Sequence, residues 1–221
     1  MDTLPSLGSE TIINEICSLD WSNLSEAELT GVAWAYYFFS VQFRENLEIA
    51  CKRYPADLLL QRLAEGECGT DNLSPWPGVA AVDERLNHDE FMRRLLQLSP
   101  ARPEMQRAAE RAGRIYLSRI RNVDEAIRAV SIASYEDGGL ERVFRAILQS
   151  QHWNTLLLQA FRHFLEKHIA FDSDEDEGHG ALARRLLPGE GVASLWQEFK
   201  ELLTDTVPGL CRAPVTVAAE V

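Results

Sequence analysis

SEAELTGVAWAYYFFSVQFRENLEIACKR, Ser25 to Arg53, reads as one long helix. Ser25 stands three residues before Glu28, the capping-box spacing in which the hydroxyl accepts an orphan amide of the first turn and the glutamate reaches back to the cap. Val32, Tyr36, Phe39, Phe43, Leu47 and Ala50 then step by three and four, an apolar stripe at the helical period. Pro55 ends the run, because proline lacks an amide proton and restricts the residue before it.

The same period recurs on both sides of this stretch. A capped start at Ser9 leads into an amphipathic piece, Ile12 to Leu19, and Ala56 to about Glu67 reads as a further helix. GTDNLSPWPG, Gly69 to Gly78, is a loop by its prolines and glycines. Asp83 to Leu98, Glu104 to about Arg121, Asp124 to Leu148, Leu156 to about Phe171, Ala181 to Leu187 and Val192 to Leu203 all read as helical, with only Gly138-Gly139 breaking the run after Asp124. No convincing period-2 stretch and no hairpin signal interrupts them. The expectation is a single all-α domain over residues 1–221 with about seven to nine helices, a core over about 26–205 and a frayed tail over 212–221.

Composition narrows the partners. Among 221 residues, 34 acids against 22 bases give a net charge of −12, the wrong sign for a phosphate-binding face, so no nucleic-acid partner is expected. No apolar run reaches the length of a membrane span and the first residues lack the basic start of a signal peptide, so no membrane partner is expected either. Cys17, Cys51, Cys68 and Cys211 form no CxxC pair and read as free thiols of a cytoplasmic protein. A chain of this length buries roughly 70% of its unfolded surface and needs no disulfide to hold a core.

The chemistry concentrates in three segments. In HFLEKHIAFDSDEDEGHGAL, His163 to Leu182, His168 and Asp172 are four apart and share a helix face. Glu175 and His179 return to that face if the helix continues at ~3.6 residues per turn. Imidazole and carboxylate together suit iron or manganese, whereas the acid run by itself reads as a solvated loop. In IASYEDGGLERVFRAIL, Ile132 to Leu148, Glu136 sits among apolar residues; an acid buried there must be paired or ligate a metal. Exposure, or pairing with Arg142 or Arg145, is the alternative for it. Gly138-Gly139 beside it weakens the helix and marks close packing or a distorted turn. In the third segment, His88 lies on an amphipathic stretch, as a ligand or as a core histidine. Glu65, Glu67 and Glu84 are the nearby carboxylates, and the Trp76 loop either caps a pocket or packs over the core.

Glu67 in GECG, His88 in LNHDEF, Glu136 in SYED, His168 and Asp172 in HIAFD, and His179 in GHGALARRLL together resemble the haem-oxygenase-like di-iron oxidases and oxygenases. The resemblance spans roughly residues 30 to 205. It implies a haem-oxygenase-like bundle with Glu67, His88, Glu136, His168, Asp172 and His179 as ligands to two Fe(II) per chain, and O2 as co-substrate. Two intervals depart from the family's spacing. Glu67 to His88 is long, which leaves Glu65 or Glu84 as substitutes, and Asp172 to His179 is long, which leaves Glu175 or Asp176. A π-bulge after Asp172 is one way to accommodate the second.

The implied activity is O2-dependent oxidation of a small molecule, amino-acid-like by preference, in a biosynthetic pathway, with an electron donor and a homodimer among the implied partners. Trp34, Tyr36, Tyr37, Phe38, Phe39 and Phe43 either wall the pocket or fill the core, and Arg44, Arg62 and Lys167 are candidate anchors for a substrate carboxylate. A cofactor-free enzyme of the thiaminase-II or pyrroloquinoline-quinone-synthase kind, and an acidic helical interaction module, are the competing classes. Because like charges repel, the acid run from Asp172 to His179 is expected to gain order from a cation.

Overall fold

The computed structural model describes residues 8–67, 75–82, 84–172 and 191–212, the side chains of Phe171 and Asp172 excepted. Its elements are α1 (Ser9–Cys17), α2 (Glu26–Arg53), α3 (Leu58–Glu67), α4 (His88–Leu95), α5 (Pro103–Arg121), α6 (Glu125–Ser134), a wide π-type turn (Tyr135–Gly139), α7 (Leu140–Ile147), α8 (Leu156–Asp172), α9 (Val192–Thr206) and a closing 3-10 turn (Pro208–Cys211). Among the described residues there is no strand, only one antiparallel bridge between Trp76 and Ala80. No helix of the described residues is long and apolar enough to cross a membrane.

α2 is the axis. Its capping box forms as read, with Ser25 Oγ accepting the Glu28 amide at 3.3 Å and Glu28 Oε2 accepting the Ser25 amide at 2.9 Å. The helix packs against α3, α4, α5, α6, α8 and α9, so it is buried on more than one stripe. Val32, Tyr36, Phe39, Phe43, Leu47 and Ala50 are all in the core, and so are Ala35, Ser40, Gln42 and Asn46.

Those polar residues are paired, because an unbonded buried polar group is costly. Tyr116 donates to Gln42 Oε1, and Gln42 Nε2 donates to Tyr135 Oη at 3.1 Å. Burial pushes both phenols above their ordinary pKa, so both stay protonated donors. One turn along, Arg128 donates through Nε to Asn46 Oδ1 (2.8 Å) and through Nη2 to Glu45 (3.2 Å), while Asn46 Nδ2 donates to Ser131 Oγ (3.1 Å). This column fixes the register of α6 on α2. Arg128→Ala is expected to cost about 2 kcal/mol, since it strands the buried Asn46 carbonyl; a lower urea midpoint at unchanged slope is the readout.

The helical boundaries moved in places. The first cap is Gly8, without a side-chain bond, rather than Ser9. The core extends beyond the expected 26–205, since Ile12, Ile13, Ile16, Val207 and Leu210 are buried in it. Arg212, expected in the frayed tail, is tied to Glu28 and to the Asn23 carbonyl. Residues 213–221, the expected helix 181–187 and the loop residues 68–74 lie outside the described residues.

The largest correction concerns Asp83 to Leu98. Helix α4 starts only at His88, because Glu84 accepts the Ala81 amide (3.0 Å) and Arg94 Nη1 (2.7 Å), and that turn delivers the chain to Asn87 as the cap. On α4, Glu90 is clasped by Arg93 (2.7 Å) and Arg94 (2.9 Å). Hydrogen bonding from Arg93, joined by Arg94 and outweighing partial burial, lowers its pKa to about 2. A carboxyl depressed on folding stabilises the folded chain above its unfolded value of 4.5, and that contribution is lost as pH falls towards about 2. Stability is therefore expected to fall across that window, and Glu90→Gln to flatten the fall, measured as the urea midpoint against pH.

Candidate metal centre

Four ionisable side chains from four elements line one buried cavity. Glu67 closes α3, where Leu60, Leu63 and Glu67 recur at three and four residues and face inward together; Glu65 falls on the exposed side. His88 opens α4 and His168 lies on α8, three residues after the buried Leu165. Glu136 is carried by the π-type turn. All four are nearly inaccessible, at 6% for Glu67, 8% for His88, 7% for Glu136 and 5% for His168. The cavity measures about 10 Å³, room for one water-sized occupant, and Tyr36, Ser40, Phe43 and Leu140 complete its wall.

The hydrogen bonds orient the imidazoles. His168 Nδ1 lies 3.1 Å from the Phe164 carbonyl, which only accepts, so in the neutral ring Nδ1 holds the proton and Nε2 keeps its lone pair. That Nε2 points at His88 Nδ1, 3.4 Å away, and the two rings meet edge to face at 4.6 Å. His88 Nδ1 is also 2.6 Å from Glu67 Oε2. Glu67 Oε2, His88 Nδ1 and His168 Nε2 thus close on a single proton. A backbone carbonyl that fixes the tautomer behind the ring is the usual support of a metal-bound histidine. Phe164 and Phe144 pack on His168 at 4.3 and 5.7 Å between ring centres.

The turn that carries Glu136 is a local distortion. Asp137 (φ −81°, ψ 53°) and Gly138 (φ +85°) leave helical geometry between α6 and α7. A Cβ on Gly139 would lie 2.3 Å from the Ser134 carbonyl oxygen and 2.8 Å from the Trp196 ring. Trp196 is itself fixed by its Nε1 donating to Ser134 Oγ at 2.9 Å. The glycine pair thus serves both readings made from sequence, close packing and an irregular turn beside a site. Arg142 and Arg145, the alternative partners for Glu136, turn outward to Glu10 (2.7 Å) and Glu141 (2.6 Å).

The remaining candidates divide. Asp172 is the last residue of α8, four positions after His168. His179, Glu175 and Asp176, the expected π-bulge after Asp172 and the expected ordering of the acid run lie outside the described residues. Glu84 turns away into its bonds with Ala81 and Arg94. Of the aromatic cluster on α2, Tyr36 and Phe43 wall the cavity, Phe39 packs on Phe199 at 4.3 Å in the core, and Trp34, Tyr37 and Phe38 line a separate groove towards α4 and α5. Trp76 packs on His163 at 4.8 Å. Arg62 and Lys167 are exposed, and Arg44 pairs with Asp89 and Glu48. Ser40 and Leu140 were missed as site residues; the four-residue step from Tyr36 to Ser40 was the available signal for the first.

Comparison with protein-family models, with curated proteins and with solved structures finds no match to this chain. The site therefore stands on its own chemistry. Among the described residues, no group of three or more His, Cys, Asp or Glu side chains is arranged to hold a metal ion. The donor set nevertheless suits iron: two imidazoles and two carboxylates border one cavity, and the tautomer of His168 is fixed to present a lone pair.

Proposed function

We propose that this chain is a non-haem di-iron oxidase or oxygenase that uses O2 to oxidise a small molecule. The carrying observation is the convergence of Glu67, His88, Glu136 and His168 on one cavity. Four ionisable groups in an apolar core are expensive to bury, and a bound cation offsets that cost by pairing with their charges and lone pairs.

Glu67, His88, Glu136 and His168 would hold the metal, with Asp172 and His179 as the further ligands implied by the resemblance. Iron, when bound, supplies the one-electron chemistry through which O2 reacts with a closed-shell substrate. The protein's own part is positional. The Phe164 carbonyl keeps the proton on His168 Nδ1, so that Nε2 presents its lone pair towards His88 and the cavity. If Glu67 Oε2 and His88 Nδ1 were themselves the ligating atoms, the proton they share would leave as a cation entered, and uptake would release a proton. Tyr36, Phe43, Leu140 and Phe144 keep the surroundings apolar and water out.

A second reading has its own observation. Glu67 Oε2 at 2.6 Å from His88 Nδ1 is a carboxylate–imidazole pair of the kind that performs general acid–base chemistry without a metal. Anaerobic loading with ferrous ion followed by oxygen separates the two. The di-iron reading expects oxygen consumption that needs ferrous ion and stops with a chelator. Protein that never consumes oxygen, with or without ferrous ion and across a panel of amino acids and carboxylic acids, contradicts it.

A further inference from the structure

A separate groove of about 580 Å³ opens between α2, the first half of α5 and the chain that leaves α4. It shares no lining residue with the donor cavity, and its volume is that of clefts which enclose small organic molecules. Its aromatic side comes from one helical face: Trp34, Tyr37 and Phe38 stand at i, i+3 and i+4 on α2. Phe38 occupies the room that a side chain on Gly113 of α5 would fill, and it is nearly buried. Trp34 and Tyr37 are only partly buried, so the core does not use up their rings. The Tyr37 and Phe38 rings meet at 5.0 Å and 62°, which makes a corner rather than a stack.

The charges around the groove reduce to one weakly compensated carboxylate. Arg93 donates to both oxygens of Glu90, each at 2.7 Å, and that carboxyl, with a pKa of about 2, stays ionised at neutral pH. The pair therefore brings no net charge. Glu110, on α5, accepts from the neutral Gln106 amide at 2.9 Å. Its ion pair with Arg114 is 3.9 Å long and open to solvent, an arrangement that contributes little. Burial, with the Asp89 carboxylate adding to it, pushes the Tyr37 phenol above its ordinary value, so that ring stays neutral.

Aromatic faces carry negative potential and attract a cation placed against them, most strongly where water is excluded. Glu110 adds a full charge of the same sign, so an anion entering the groove is disfavoured twice. The facing wall of Leu96, Pro100 and Ala101 offers no side-chain acceptor to an N–H donor. A quaternary ammonium has no N–H to satisfy and presents methyl groups to that wall. We propose that this groove binds a small organic cation through a trimethylated ammonium head, seated against Trp34, Tyr37 and Phe38 with Glu110 as its counter-ion. The site stands apart from the candidate metal centre and does not rest on the di-iron reading.

Isothermal titration of the full chain tests it with two probes of one shape, choline and its uncharged carbon isostere 3,3-dimethylbutan-1-ol. Choline is expected to bind at least about tenfold more tightly than the isostere, since only the charge differs between them. Trp34→Leu keeps an apolar side chain and removes the π face. It is expected to weaken choline about tenfold and to leave the isostere within about twofold, a split that a general loss of packing does not produce. Should that variant fail to fold, Tyr37→Leu, at another partly buried position, carries the same comparison. Glu110→Gln is expected to weaken choline about threefold without changing the isostere. Equal affinity for the two probes, or no detectable binding of choline, overturns the proposal. So does choline affinity that is unchanged in the aromatic variants, and choline affinity unchanged in Glu110→Gln overturns the counter-ion.

Discussion

Replacing His168 with alanine is expected to lower ferrous affinity by more than about a hundredfold and to leave the helical fold in place. The expectation follows from how the ring is held. Its Nδ1 proton is committed to the Phe164 carbonyl, its Nε2 faces His88 Nδ1 and the cavity, and Phe164 packs on its face at 4.3 Å. His88→Ala is expected to act similarly and to leave Glu67 buried without its imidazole partner, so that variant also loses stability. Competition of ferrous ion with a chromogenic chelator, under nitrogen, reads the affinity, and circular dichroism confirms the fold. If either alanine variant takes up iron as the unaltered chain does, the histidines are core residues and the metal centre is refuted.

Gly139→Ala is expected to destabilise the chain by about 3 kcal/mol, near the upper end of overpacking effects. The added methyl would sit 2.3 Å from a backbone carbonyl oxygen and 2.8 Å from the Trp196 ring. A carbonyl cannot yield as the end of a flexible side chain does, so the turn itself must shift and Glu136 must shift with it. Iron affinity is therefore expected to fall together with stability. Gly138→Ala is a useful contrast, because no atom lies within 4 Å of its added Cβ and only the φ of +85° is strained. It is expected to cost about 1 kcal/mol, the ordinary penalty for a non-glycine residue in the left-handed region. Urea unfolding of both variants measures the difference. Equal stability losses would mean that the turn is looser than its packing against Trp196 implies.

The long stretch from Ser25 to Arg53 was legible because both its cap and its apolar period are local properties of the chain. The start of α4 was not. The apolar pattern from Asp83 to Leu98 is consistent with a longer helix, and what shortens it is a side-chain contact, Glu84 with Arg94, formed ten residues apart. Glu67 and Glu65 were indistinguishable as types and became distinct only through the face of α3 that meets the core. The pairing of Gln42 with Tyr116 and Tyr135, across 74 and 93 residues, had no local signal. The glycines after Glu136 announced an irregular turn, but what makes glycine fit at 139 is set by the turn's own geometry, which brings the Ser134 carbonyl to 2.3 Å of an added Cβ, and by Trp196, on a helix far along the chain.

The central claim is that Glu67, His88, Glu136 and His168 form the core of an iron site, and counting iron tests it most directly. The chain is titrated anaerobically with ferrous ion, freed of excess metal, and assayed for iron per chain. The account predicts about two irons per chain in the unaltered protein and a marked loss in Glu136→Ala. Retention of no iron by the unaltered chain would contradict it, and the Glu67–His88 pair would then stand as an acid–base dyad or as a buried structural contact.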